Sequence, residues 1–234
     1  MYEERPPGSD LAGRIACVWH QVSETDTTHL VVPDACVDLI WGPDGLFVAG
    51  PDTGPVPTPM AAGDTFVGIR FKPGAVGDFF GVPLHELRDQ RVPLSALPGL
   101  PIDESCAPQP GWRLEAMRAA VRRRLTGSGS VEPATFAMVQ ALRAGRAVTD
   151  VAWDLGLSER QLHRRSVTAF GYAPKTLQRI VRFQRALRLA RAGVPLADVA
   201  AEAGYTDQAH LSRDVKRLSG VPMGRLLSPS RRPA

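Results

Sequence analysis

The chain has 234 residues, of which 44% are hydrophobic and 22% charged, and its formal net charge is +4. This is an ordinary globular composition, long enough for one large core or two modest ones, and it excludes a disordered or low-complexity chain. Cys17, Cys36 and Cys106 are too few and too scattered for a disulfide scaffold or a closed structural zinc site, so a reducing cytoplasm is expected.

The first residues, Met1 to Pro7, are acidic and Pro-rich, with no basic stretch leading into an apolar one, so no secretory signal is expected. No apolar run reaches the roughly eighteen residues of a membrane span, and no membrane partner is expected. Short apolar runs then follow at Thr28–Val32, Cys36–Trp41, Leu46–Ala49 and Thr65–Phe71, punctuated by Pro-Asp, Gly-Pro and Pro-Gly; they read as strands and turns. Two short helical pieces are expected near Ala75–Phe80 and Leu84–Asp89. The Pro-rich stretch 97–111 reads as a linker. Trp112–Leu125 has helical spacing, with Leu114, Met117, Val121 and Leu125 on one stripe. Gly127 to Ser130 reads as a flexible break. Beyond it the pattern is helical throughout.

Charge divides at the same place. Residues 1–130 hold 11 basic and 16 acidic residues (−5), and residues 131–234 hold 17 and 8 (+9). An acidic half joined to a strongly basic one suggests a sensor or interaction domain on a polyanion-binding domain.

The basic half contains an internal repeat. Val151 to Ser158 and Val199 to Thr206 align, and Ala152/Ala200, Gly156/Gly204 and Pro174/Pro222 are each 48 residues apart. The inner Leu162 and Leu211 are offset by one more. Each copy has helix-turn-helix chemistry: a small Ala where two helices meet, a Gly in the turn, and Ser158 or Thr206 to cap the second helix. Outward residues are Arg160, Gln161, His163 and Arg164 in the first copy, and Gln208, His210, Ser212 and Arg213 in the second. Such side chains suit base edges in a major groove. Arg165, Lys175, Lys216 and Arg217 are better placed for phosphates. The competing reading of the repeat is a helical array that binds protein. Between the copies, a helix from Pro174 to about Ala192 would span roughly 29 Å. That is close to the roughly 34 Å between successive major-groove faces on one side of a duplex. Its arginines recur every three residues and read mostly as a solvated face.

With these motifs, residues 132–228 resemble the AraC/XylS-type DNA-binding domain, above all in the segment Gly204 to Pro222. The resemblance implies seven helices, two helix-turn-helix units and a role in transcription. Two residues depart from it: Ser166 stands where a core aromatic is usual, and Asp214 puts an acid beside the expected DNA face. In the acidic half, the runs Pro33 to Trp41, Val48 to Pro51 and Gly68 to Ala75 resemble an uncharacterised N-terminal domain found on one subgroup of AraC-type regulators. This implies a compact strand-rich domain, expected as a small barrel, that binds an effector and contributes to dimerisation.

Seven residues in or beside the strands are candidates to line an effector pocket: Trp19, His20, Cys36, Asp38, Trp41, Arg70 and Phe71. Plain core packing is the alternative for the aromatics. Arg70, between Ile69 and Phe71, needs either a buried partner, Asp38 or Asp34, or an anionic effector. Cys36 is open to four readings: an inert buried thiol, a redox or electrophile sensor, an alkyl acceptor, and a zinc ligand with His20 and His29. No phosphate loop or nucleophile motif is present, and no cofactor is implied.

The expected architecture is therefore α+β: a strand-rich effector domain over 1–100, a linker over 101–130 carrying helix 112–125, and an all-α DNA-binding domain over 131–234 whose two helix-turn-helix units are joined by a long helix. The function expected is a sequence-specific, effector-responsive bacterial regulator, with double-stranded DNA, a small-molecule effector, RNA polymerase and a second copy of the chain as partners. The alternative is a thiol-based sensor or enzyme-like domain fused to a DNA-binding one.

Overall fold

The computed structural model describes residues 1–77, 79–98, 100–103, 109–126 and 132–228. The Gly127–Ser130 break and Cys106 lie outside them. Among these described residues the N-terminal region has eight strands: β1 Tyr2–Arg5, β2 Ile15–Val22, β3 Thr27–Val31, β4 Val37–Gly42, β5 Gly45–Ala49, β6 Val56–Met60, β7 Thr65–Phe71 and β8 Arg91–Pro93. Six of them make an antiparallel sheet in the order β1-β2-β7-β4-β5-β8, while β3 and β6 pair separately. The sheets are open. The expected barrel does not close, because β1 and β8 are opposite edges of the larger sheet and do not pair with each other.

Alternation along the central strands decides which side is covered. Val37, Leu39 and Trp41 of β4 and Val67, Ile69 and Phe71 of β7 enter one buried cluster. That face is roofed by Val76, Phe79, Phe80, Leu84 and Leu87 from the segment after β7. The rings of Phe71, Phe79 and Phe80 pack at centroid distances of 4.9–5.6 Å. This segment is a series of turns, not the two helical pieces expected. Its apolar residues are held by the sheet, and Gly74, Gly77 and Gly81 at positive φ break any helical run.

Helix α1, Pro110–Thr126, completes the roof with Met117, Ala120 and Val121, all at most 1% exposed, and with Leu114 and Leu125 partly buried beside them. Of the two partners open to this stripe, its own N-terminal region and a second copy, it is the first that it covers.

Seven helices follow: α2 Pro133–Arg143, α3 Val148–Asp154, α4 Glu159–Phe170, α5 Pro174–Arg191, α6 Leu196–Ala203, α7 Gln208–Ser219 and α8 Met223–Leu227. Their core centres on α5, whose Leu177, Ile180, Phe183, Ala186 and Leu187 are at most 1% exposed. Pro174 stands in its first turn, and Gly193, at φ +85°, follows its end.

The two halves meet along a seam. Ala35, in the loop between β3 and β4, is buried in the helical core. Gln184 of α5 donates to the Pro33 carbonyl at 2.7 Å, Arg88 donates to the Gly171 carbonyl at 3.2 Å, and the Tyr172 hydroxyl donates to the Asp52 carbonyl at 3.3 Å.

Gly50 shows how tightly the N-terminal region is built: a Cβ there would lie 1.7 Å from the Leu87 carbonyl oxygen, a backbone atom with no rotamer to change. Gly50→Ala is expected to cost about 2–3 kcal/mol and to lower the thermal midpoint by roughly 5–10 °C. An unchanged midpoint in a denaturation scan would show that this loop adapts freely.

Candidate nucleic-acid interface

Each repeat builds its second helix from a turn and a cap. Gly156 and Gly204 sit at φ +63° and +82°, the left-handed region open to Gly at little cost. Ser158 caps α4: its hydroxyl accepts from the Gln161 amide, while the Gln161 side-chain oxygen accepts from the Ser158 amide at 2.8 Å. In the second copy the cap is Asp207, not the expected Thr206; its carboxylate accepts from the His210 amide at 2.6 Å. A carboxylate at that position outcompetes a threonine hydroxyl for the free amides, and it also complements the helix dipole. The shift of the cap by one residue explains why Leu162 and Leu211 are offset by one more than the turn glycines.

Aligned by their caps, Gln161 and His210 occupy the same third position, and both turn back. Gln161 closes the capping box. His210 places Nδ1 3.4 Å from the Thr206 hydroxyl and its ring edge-on to Tyr205 at 5.1 Å. Gln161 is exposed and His210 half-buried, and both side chains bond at the helix start. Arg160, His163 and Arg164 on α4 and Gln208, Ser212 and Arg213 on α7 are exposed. Arg164 and Arg213 are equivalent by cap register. Lys175, Lys216 and Arg217 are exposed as well. Arg165 is half-buried and pairs with Glu132 at 2.8 Å.

The structure accounts for both departures noted in the sequence. Ser166 is fully buried and donates to the Tyr172 carbonyl at 2.7 Å, so a hydroxyl replaces aromatic bulk by tying off the end of α4. Asp214 does not lie on an outward face. It is 8% exposed and pairs with Arg182 at 2.8 Å and Arg179 at 3.6 Å on α5. The Arg182 guanidinium also lies 4.3 Å from the Tyr205 ring centroid. Two arginines of the three-residue period therefore anchor α7 to α5, a role that the periodicity alone did not reveal.

The effector candidates are divided by the sheet. Trp41 and Phe71 are core on the roofed side, and His20 shares that side by alternation with Val18; its Nε2 is buried without a partner among the described residues. Trp19, Asp38 and Arg70 are on the other side. These six residues therefore do not line one pocket. Trp19 lies across Gly68, where a Cβ would come within 2.1 Å of the ring, and donates to Asp38 at 2.8 Å. Arg70 meets Asp38 at 3.2 Å, Glu4 at 3.5 Å and Asp34 at 3.7 Å. Burial pushes the Asp38 carboxyl up, opposed by the charge of Arg70 and the Trp19 bond. Three carboxylates around one guanidinium supply the partner Arg70 needs and repel an anion.

Burial, reinforced by Asp34, pushes the Cys36 thiol well above its usual value, and burial raises Cys17 to about 11. Both shifts run against a reactive thiolate. Among the described residues no three metal-ligating side chains come together, so Cys36, His20 and His29 are not assembled for zinc.

Residues 151–228 match a family described as a helix-turn-helix domain. The C-terminal region is an AraC-type helix-turn-helix domain. Residues 3–93 match a family described as a domain of unknown function. The fold is similar to that of ToxT from Vibrio cholerae: an apo point variant aligns over 90% of this chain and 96% of that one, with a TM-score of 0.51 and 11% identity. A 1.65 Å structure of ToxT covers 97% of each chain at 8% identity and a TM-score of 0.49. ToxT bound to an unsaturated fatty acid covers 92% of this chain and 95% of that one at 10% identity and a TM-score of 0.47. No curated protein matches the chain. The AraC-type domain places the protein among DNA-binding transcription regulators.

Two outcomes test this geometry. Asp214→Ala leaves Arg179 and Arg182 without their counter-charge and is expected to cost about 1–3 kcal/mol. The loss is below that of a fully buried pair because the two arginine side chains are 32% and 24% exposed. An unchanged thermal midpoint would show that packing alone holds α7. At pH 7, Cys36 in the folded chain is expected to react with iodoacetamide more slowly than in urea, since burial disfavours the thiolate that reacts. Faster reaction in the folded state, read by mass spectrometry, would instead support a sensing thiol.

Proposed function

We propose that the chain is a sequence-specific regulator of transcription whose N-terminal region responds to a small-molecule effector. The observation that carries this reading is the pair of capped, outward-facing helices, α4 and α7, fixed to one helix. The eighteen residues of α5 extend about 27 Å, near the spacing of successive major-groove faces on one side of a duplex. Arg160, His163 and Arg164 would read one groove segment and Gln208, Ser212 and Arg213 the next, while Lys175, Lys216 and Arg217 meet phosphates. Gln161, His210 and Arg165 support these helices instead of reading bases.

The seam supports the responsive part of the reading. The corner Gly171-Tyr172, at the end of α4, is bonded to the N-terminal loops through Arg88 and Asp52. A ligand that shifts those loops would therefore tilt the first reading helix. RNA polymerase is the partner such a regulator would meet at a promoter, and a second copy would have to dock elsewhere than on the apolar stripe of α1. The reading sets its work in the bacterial cytoplasm. No helix among the described residues is long and apolar enough to cross a membrane.

The test is DNA binding by the full chain. Affinity for a selected duplex is expected to fall roughly a thousandfold or more between about 50 and 200 mM salt. Arg213→Ala should cost about 1–3 kcal/mol at that site and relax base preference in one half, while Lys216→Ala should weaken all sequences alike. Equal effects of both changes on specific and random DNA would make Arg213 a phosphate contact. A folded chain with no salt-dependent binding at all would overturn the reading.

A further inference from the structure

The two reading helices end alike. α4 and α7 are each 12 residues long, and each stops at a glycine in the left-handed region, Gly171 at φ +79° and Gly220 at φ +72°. Both glycines are approached by a proline from one N-terminal loop, residues 50–55 between β5 and β6. A Cβ on Gly171 would lie 2.7 Å from Cγ of Pro51, and a Cβ on Gly220 would lie 3.4 Å from Cγ of Pro55. The two prolines are four steps apart in the chain, so they stand at most about 14 Å from each other. One short loop therefore reaches equivalent points of both helix-turn-helix units.

The loop is stiff. The Asp52 carboxylate accepts from both terminal nitrogens of Arg91 at 2.8 Å, and the Asp52 carbonyl accepts from the Tyr172 hydroxyl. The Asp89 carboxylate accepts from the Thr53 amide at 2.6 Å and from the Thr53 hydroxyl at 2.9 Å. The Asp89 amide donates to the Pro51 carbonyl at 3.2 Å, and the Gly50 amide to the Gln90 carbonyl at 3.0 Å. Proline adds stiffness of its own, because its ring fixes φ. Glycine at the helix ends has no Cβ and lets the rings come close. Recognition helices touch bases with their N-terminal residues. A brace at the C-terminal ends leaves those residues free and can act while DNA is bound.

We infer that Pro51 and Pro55 are positioning residues for DNA recognition: the 50–55 loop braces α4 and α7 at their C-terminal ends and so sets the spacing of the two groove segments that the chain accepts. This rests on the regulator reading, and it gives the N-terminal region a part in specificity even with no effector bound. α5 supports the two units from within, and the loop is a second support at the helix ends. Two supports resist bending that one tolerates. One base pair more or less moves the second groove segment by about 3.4 Å and turns it by roughly 35°. A braced pair of helices cannot follow that change. An unbraced pair can, at an entropic cost for ordering it on any site.

The test uses the full chain and Pro55→Gly, which removes the ring at Gly220 and keeps the Pro51 anchor. The duplexes are a selected site and the same site with one base pair inserted or removed between the two groove segments. The parent is expected to bind the altered duplexes about thirtyfold or more weaker than the selected one. In Pro55→Gly that ratio should shrink to about threefold, with the selected site bound within about tenfold of the parent. Pro55→Val, which restores carbon at the Cγ position, should recover most of the ratio. Without DNA, hydrogen exchange of the amides of 218–221 should quicken about fivefold or more in Pro55→Gly, while those of Gly171 and Tyr172 keep the parent's rate. If Pro55→Gly fails to fold, Pro55→Ala, which lacks Cγ, takes its place with the same expectations. The inference is overturned if the variant keeps the parent's ratio, or if it weakens all three duplexes alike, as a merely structural loss would. It is also overturned if exchange at the end of α7 is unchanged, or if the parent itself binds the altered spacings as well as the selected one. A parent that binds no duplex at all fails the regulator reading, and the exchange result then still decides whether the loop holds α7.

Discussion

The helix Pro174–Arg191 is the constraint on which the rest of the structure depends. It has no internal Pro or Gly, and it buries eight of its own residues, so it behaves as a rod with packing on several sides. α4 and α6 pack against it through apolar contacts. α7 adds the charged clamp of Asp214 between Arg179 and Arg182. The N-terminal region reaches it through Gln184. A rigid rod fixes the separation and relative rotation of the two helix-turn-helix units, and a fixed separation is what a regularly spaced polyanion can match. A flexible joint here would leave each unit to bind on its own, with an entropic cost for bringing the second into place.

Charge is used differently on the two sides of the molecule. In the N-terminal region the buried charges are paired inward: Arg70 among its carboxylates, and Arg91 with Asp52 through two contacts of 2.8 Å. These pairs satisfy groups that the sheet would otherwise strand, and such pairing brings specificity of fold more than net stability. In the helical region Arg160 and Arg164 of α4 and Arg213, Lys216 and Arg217 of α7 are exposed, where desolvation costs nothing until a partner arrives. The difference between −5 and +9 in the two stretches of sequence therefore becomes a difference in accessibility as well as in sign.

The seam is built from backbone as much as from side chains. Gly171 is at φ +79°, and a Cβ there would lie 2.7 Å from the Pro51 ring. Glycine is thus needed twice over, once to end α4 and once to let the N-terminal loops approach. Tyr172, the next residue, is 1% exposed and carries the hydroxyl to the Asp52 carbonyl. The end of α4 and the docking of the other region are one feature, so neither can move without the other.

What the sequence determined by itself was local. The repeat, the two turn glycines, the Ser158 cap, the Pro174 start of α5 and the strands over β3, β4, β5 and β7 are each encoded within a few residues, by spacing and by side chains that act on their own backbone. Tertiary structure decided what depended on distant partners. The strands β1, β2, β6 and β8 take their places only through pairing, and the apolar residues after β7 stay as turns because the sheet face holds them. The stripe of α1 could have served a second copy, yet it closes the core of its own sheet. Asp214 looked like an acid on an outward face until Arg179 and Arg182, more than thirty residues earlier in the chain, were seen to hold it inward. Gln161 and His210 have side chains suited to reading bases, and the folded chain shows that each also bonds at its helix start. The reason is common to all of these: a side chain's type states which contacts it can make, and only the folded chain settles which of the possible partners is within reach.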